Sequence, residues 1–208
     1  MSGSAALRIL RCPKGTPSGA FIVGTVAGVV LAAGGGSRYL GDEHKLRALF
    51  RGRAVLSWVI DTVLEVGFNQ VYVITGAVAL DDLIPDGVEI VPNPDWAQGQ
   101  SSSLQAAVRI ADRDGHDALV VGLGDQPLVP ASAWRSVGAS AGAIVTASFG
   151  GERRPPVKLD RSVWPDLPHE GDFGARTLMQ QRPELVCEIP CRGNPVDIDT
   201  VEDLRRWS

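Results

Sequence analysis

The chain has 208 residues, a formal net charge of −4 and an apolar share of 44%. That length suits one α/β domain with a real core. The mild acidity excludes a general nucleic-acid surface, which needs a basic face, and Cys12, Cys187 and Cys191 make no disulfide framework.

Residues 1–20 read as a flexible extension ahead of a single domain over residues 21–208. Arg8, Arg11 and Lys14 precede an uncharged run from Pro17 to Ser37, which imitates a secretory signal. A strand that the fold needs lies inside that run, so the expectation is a cytoplasmic protein with no membrane span. From Val26 the small and β-branched residues read as a fully buried strand. It leads into Ala33-Gly34-Gly35-Gly36-Ser37-Arg38, with Lys45 a short way on. Glycines let the backbone approach a ligand closely, and successive N–H groups there suit an anion. The reading is a phosphate cradle; the alternative is a strand-to-helix loop with no ligand.

Gly52 sits in a small turn or hairpin. Val55, Leu56, Val59, Ile60, Val63 and Leu64 recur at helical spacing, and Gly67 ends the pattern. Val71–Ile74 is the second strand, Ala79–Leu83 a short helix and Val88–Val91 the third strand. Asn93 to Gln100 is loop. Ser101-Ser102-Ser103 opens a helix, where serine caps well, with Leu104, Ala107, Val108 and Ala111 facing inward. Ala118–Leu123 is the fourth strand, ending at Asp125. A helix near Ala131–Val137 and a strand at Ala143–Ala147 follow. Residues 152–156 read as loop, Asp172–Gln181 as helix, and Leu185–Ile189 and Val196–Ile198 as strands. Thr200 and Asp203 cap a last helix. Alternating strands and helices give an α/β single-domain, three-layer Rossmann-like architecture with a mainly parallel central sheet. The loops after the first, third and fourth strands should share one crevice. Cys187 and Cys191 have no second pair of ligands beside them, so they read as thiols and not as a zinc site.

Two glycine loops fail. Gly36 and Gly41 have P-loop spacing, but Asp42-Glu43 follow in place of lysine and a hydroxyl. A dinucleotide fingerprint meets Tyr39 at its third glycine, and no acid ends the second strand. A cradle with an arginine, a lysine and an aspartate at a strand end fits nucleotidyl transfer. That reaction needs cations around phosphates and in-line positioning. Asp125 is the candidate Mg²⁺ ligand; its alternative is a turn residue before Pro127.

Leu31-Ala32-Ala33-Gly34-Gly35-Gly36-Ser37-Arg38 with Lys45 resembles the L-A-A-G-x-x-x-R-x-G-x-x-K signature of the MobA-like nucleotidyltransferases. Asn93-Pro94-Asp95-Trp96, with Gly99 and Ser103-Leu104, resembles their N-P-x-W-x-x-G-x-x-x-S-L segment. Leu123-Gly124-Asp125-Gln126-Pro127 resembles their L-x-D-x-P metal loop. Gly171-Asp172-Phe173-Gly174-Ala175-Arg176 and Asp197-Ile198-Asp199-Thr200 resemble G-D-x-G-A-R and D-I-D-T of the molybdenum cofactor cytidylyltransferase branch.

The resemblance implies roles. Arg38, Lys45 and Asp125 are catalytic. Ala33, Gly34, Gly35, Gly36, Ser37, Asn93, Gly99 and Ser103 hold the nucleotide. Ser101, Ser102, Gly171, Asp172 and Arg176 face the acceptor. Asp125 and Asp199 bind Mg²⁺. The implied reaction moves CMP from CTP onto a phosphorylated pterin such as the molybdenum cofactor, releasing pyrophosphate, with a molybdoenzyme apoprotein as a partner. Alternatives are GMP transfer from GTP, an NADPH-dependent oxidoreductase of the same fold, and a non-catalytic assembly factor. Two features depart from the pattern. The run from Arg38 to Lys45 is longer and more acidic. Arg153-Arg154-Pro155-Pro156 stands where the branch carries R-x-G-H-P, and His116 and His169 read as surface loop residues rather than replacements.

Overall fold

A computed structural model describes residues 24–208. The expected extension over residues 1–20 and the start of the domain at residue 21 lie outside the described residues. The first strand, β1 (Val26–Leu31), is almost wholly buried. The hairpin at Gly52 is β2 (Leu49–Phe50) and β3 (Arg53–Ala54). α1 (Val55–Val66) follows and ends at Gly67. β4 (Gln70–Thr75), a 3₁₀ turn at Asp81–Leu83 and β5 (Glu89–Pro92) come next. Then come α2 (Gln100–Arg113), β6 (Ala118–Leu123), α3 (Ala131–Ala139) and β7 (Ile144–Phe149). β8 (Glu152–Asp160), α4 (Ala175–Gln181), β9 (Val186–Pro190) and α5 (Val201–Trp207) complete the chain.

The central sheet has seven strands in the order β5-β4-β1-β6-β8-β7-β9. β1 lies between β4 and β6, parallel to both, and β8 runs antiparallel to its neighbours β6 and β7. Side chains alternate between the faces, as the strand pleat requires. Val26 and Val30 face α1 and α3, in the core with Val59, Val63 and Trp134. Ala27 and Val29 face α2 and α4, in the core with Leu104, Ala107 and Leu178. The mainly parallel sheet covered on both faces is therefore as expected. It aims the ends of β1, β5 and β6 toward one edge of the domain.

Several local readings need correction. Residues 152–156 are not a loop but the start of β8. Thr146 pairs with Val157 and Ala147 with Arg154, so Pro155 and Pro156 fall in the gap between paired residues. A bulge tolerates residues without an N–H, which hid the strand. Residues 196–198 form no strand; their backbone is pinned to the loop after β6 instead, Ile198 N–H donating to the Asp125 carbonyl at 2.9 Å. α4 begins at Ala175, three residues late, because Gly174 has a positive φ of 47°. The serines do not cap α2: Gly99 does, with φ 103°, and all three serines are buried in the first turn. His116 is not a surface residue but is buried, 3.0 Å from the Tyr72 hydroxyl. His169 is exposed, as read. Cys191 is a free thiol, whereas Cys187 is disulfide-bonded, so the thiol reading does not hold for it. Among the described residues no helix is long and apolar enough to cross a membrane.

Candidate active site

The loops after β1, β5 and β6 meet around one cavity of about 510 Å³. Ala33, Gly34, Gly35, Gly36, Ser37 and Arg38 form one wall. Trp96, Ala97, Gly99, Gln100 and Ser103 form another, and Lys45, Asp125 and Asp199 the third. The glycines matter at two places here. Gly36 has φ 62°, and a Cβ on it would stand 2.8 Å from the His44 ring. A Cβ on Gly99 would stand 2.5 Å from an Asp172 carboxylate oxygen.

Charge converges on the third wall. The Lys45 ammonium lies 2.5 Å from Asp125 Oδ2 and 2.8 Å from Asp199 Oδ1. Arg38 reaches the other Asp199 oxygen at 2.9 Å, with its own side chain 74% exposed. Burial works against the charge on Lys45, but its ion pairs and hydrogen bonds with Asp125 and Asp199 more than offset that, so its pKa is raised. The lysine thus reaches the site across the longer loop.

The two carboxylates come from distant segments and are held separately. Asp125 follows the buried strand β6. Asp199 is fixed by the cap of α5, where one Asp203 oxygen accepts from Asp199 N, Thr200 N and Thr200 Oγ1 at 3.2, 2.9 and 2.8 Å. Asp125 Oδ1 is buried and has no hydrogen-bond partner among the described residues. A buried carboxylate oxygen with nothing to accept from is costly unless it meets a cation or donor. Two convergent carboxylates with such an oxygen fit Mg²⁺, which takes one or two carboxylates plus phosphate oxygens and waters.

Not every expected site residue lines this cavity. Asn93 is 1% exposed and donates to the Ser102 and Ser103 hydroxyls at 2.9 and 3.0 Å. Its own oxygen accepts from Asp95 N at 3.1 Å. Asn93 therefore ties the end of β5 to the start of α2. The Ser102 hydroxyl donates toward the Asp95 and Gly99 carbonyls, both at 2.9 Å. Ser101 N donates to the Gly171 carbonyl at 2.9 Å, and Ser101 Oγ is buried without a partner among the described residues. Ser101, Ser102 and Gly171 join the α2 start to the segment that carries Asp172, but line neither this cavity nor its neighbour.

That neighbour is a second cavity of about 470 Å³, sharing Leu31, Gln100, Leu123 and Asp172 with the first. Leu104, Val121, Val157 and Met179 give it an apolar lining. Arg153, Arg154 and Arg176 add positive charge. Arg153 pairs with Glu188 at 2.7 Å and Arg154 with Glu152 at 3.3 Å, whereas Arg176 has no ion pair among the described residues. Phe173 also lines it and is 63% exposed. Asp197 borders it too. Burial raises its pKa, the Asp125 charge adds to that, and the hydrogen bond from Gln126 at 2.8 Å opposes it.

Sequence reasoning assigned no role to His44, Trp96 or Phe173. Trp96 stands at the fixed tryptophan of the N-P-x-W segment and Phe173 at the variable position of G-D-x-G-A-R. His44 had no motif; its signal is a contact with Gly34, visible only in three dimensions.

The MobA-like NTP transferase domain model matches residues 28–186. The chain belongs to the MobA-like NTP transferase family. This MobA-like chain is 33% identical over 197 residues to nicotine blue oxidoreductase of Paenarthrobacter nicotinovorans, covering 87% of this chain and 95% of that protein. It is 30% identical over 194 residues to the purine catabolism protein PucB of Bacillus subtilis, covering 85% and 92%. Among solved structures it resembles Rv0371c of Mycobacterium tuberculosis H37Rv in complex with manganese. The TM-score is 0.73 at 29% identity, with 88% of this chain and 97% of that one covered.

Proposed function

We propose that this MobA-like protein transfers CMP from CTP onto a phosphorylated pterin such as the molybdenum cofactor, releasing pyrophosphate. The observation that carries the reading is the meeting of Lys45, Arg38, Asp125 and Asp199 at the mouth of the glycine loop, beside a second cavity lined by Arg176, which has no ion pair among the described residues. The loop N–H groups receive the triphosphate. Arg38 leaves Asp199 to hold the outer phosphates, for which its forked guanidinium is suited. Lys45 neutralises charge developing at the α-phosphoryl group. An acceptor phosphate oxygen bonds to the α-phosphorus as the bond to the β-phosphate oxygen breaks. Asp125 and Asp199 would hold Mg²⁺, which would supply charge neutralisation on the phosphates. The acceptor ring packs on the apolar lining of the second cavity with Phe173 at its edge, and its phosphate pairs with Arg176. A molybdoenzyme apoprotein then receives the product.

The test is pyrophosphate release from wild-type protein with Mg²⁺, molybdopterin and each nucleotide in turn. Release with CTP is expected. Release with GTP alone would assign GMP transfer instead. No release with any nucleotide would overturn the reading. A second reading, oxidoreduction, is favoured by the name of the relative that matches over 95% of its own length. It predicts NADPH oxidation without pyrophosphate release, and no dependence on Asp125.

A further inference from the structure

The glycine loop needs something to hold its shape, because Gly34 and Gly35 carry no side chains and are exposed. At its start the Ala33 carbonyl accepts from Ala77 N at 3.0 Å, and at its end the Gly36 carbonyl accepts from Tyr39 N at 2.9 Å. Between these two points the Gly34 carbonyl meets His44 Nε2 at 3.0 Å. Among the described residues that is the middle tether of the loop.

His44 is itself anchored. Its Nδ1 accepts from Leu46 N at 3.3 Å. An acceptor Nδ1 carries no proton, so the ring proton sits on Nε2 and points at the Gly34 carbonyl. Leu46 is 3% exposed, and its carbonyl accepts from Leu56 N of α1 at 3.1 Å. The His44 carbonyl accepts from Arg47 N and Ala48 N at 2.8 and 3.1 Å, which closes the turn that contains Lys45. One ring therefore links the core of the domain to the glycine loop, and its own backbone sets where Lys45 begins. The ring also fills the space over Gly36.

We propose that His44 is a positioning residue, a strut that fixes the Gly34–Gly36 backbone toward the triphosphate and places Lys45 between Asp125 and Asp199. The inference rests on the triphosphate reading of the loop for its functional consequence, but not for its geometry. The groups facing the ring are consistent with an unprotonated strut. Burial lowers the His44 pKa; the Gly34 carbonyl opposes this, the Lys45 charge adds to it, and Asp125 opposes it. A protonated ring would lose the bond from Leu46.

The test compares His44→Ala with His44→Gln, whose side-chain amide can still donate to the Gly34 carbonyl. In ligand-free protein, His44→Ala should move the amide NMR signals of Gly34, Gly35, Gly36 and Lys45, and His44→Gln should return them most of the way. With Mg²⁺ and CTP, His44→Ala should lower kcat about 10–100-fold, the scale expected of misplaced groups. KM for the acceptor should change by less than about threefold, and His44→Gln should recover most of kcat. Unmoved loop signals in His44→Ala would overturn the strut even if transfer is observed. Equal losses in the alanine and glutamine variants would overturn it too, because packing alone would then explain them. If wild-type protein binds no triphosphate the function reading fails. The ligand-free spectra still decide the strut.

Discussion

Replacing Lys45 with methionine keeps most of the stem and removes the ammonium that separates two carboxylates. The nearer oxygens of Asp125 and Asp199 lie 2.5 and 2.8 Å from that nitrogen. Without it they stand no more than about 5 Å apart, where like charges repel by roughly 3 kcal/mol or more at an effective dielectric constant near 20. Solvent relieves little of this, since the two aspartate side chains are only 16% and 17% exposed. Arg38 remains on Asp199 and trims the loss. Lys45→Met should therefore cost about 2–3 kcal/mol at pH 7, or roughly 4–12 °C in Tm for a domain of this size. Urea unfolding followed by circular dichroism measures it. The pH dependence has a definite sign. The folded-state pKa of Lys45 is raised, so its stabilisation is complete below the ordinary lysine value of about 10.4 and fades as pH climbs through the folded value. The gap between wild type and Lys45→Met should stay constant from pH 6 up to the ordinary lysine value and close only as pH climbs through the higher folded value. Adding Asp199→Asn to the methionine variant should recover at least half the loss. A methionine variant as stable as wild type, or no recovery in the double variant, would refute the charge reasoning.

Asp125→Asn keeps shape and removes charge, so turnover should fall on the order of 10²–10³ while circular dichroism is unchanged; full turnover would remove Asp125 from the site. Arg38 is largely exposed, so Arg38→Ala should change stability by less than about 0.5 kcal/mol but weaken CTP binding by calorimetry about tenfold. Asn93→Ala breaks three hydrogen bonds at a buried position and should cost about 2–3 kcal/mol in urea unfolding; a neutral effect would mean that α2 is held by other contacts. Arg176→Ala should raise the acceptor KM about tenfold and leave the Kd for CTP unchanged, by the loss of one charge-assisted pair. A changed Kd for CTP would place Arg176 in the wrong cavity.

Much of the sheet was legible because buried parallel strands are continuous apolar runs, as in Ala118–Leu123. The cap of α5 was legible because Thr200 and Asp203 are local to it. β8 was not, since Pro155-Pro156 argue against a strand unless a bulge takes them. Residues 196–198 alternate like a strand but bond to the loop after β6, and no local signal distinguishes the two. The shared crevice followed from strand order. The detailed roles did not: Asn93 reads as a ligand contact and is a brace between β5 and α2. The link from Leu46 through His44 to Gly34 spans only a dozen residues, yet its direction depends on where the core holds Leu46.

The central claim is that this site makes a bond from an acceptor phosphate to the α-phosphorus of CTP. The most direct measurement supplies CTP labelled with ³²P at the α-position, Mg²⁺ and molybdopterin, and follows the label by chromatography for wild type and Asp125→Asn. The account predicts label on the pterin product in step with pyrophosphate release, and its loss in the variant. Label that stays in unreacted CTP with wild-type protein, or equal transfer by the variant, would contradict it.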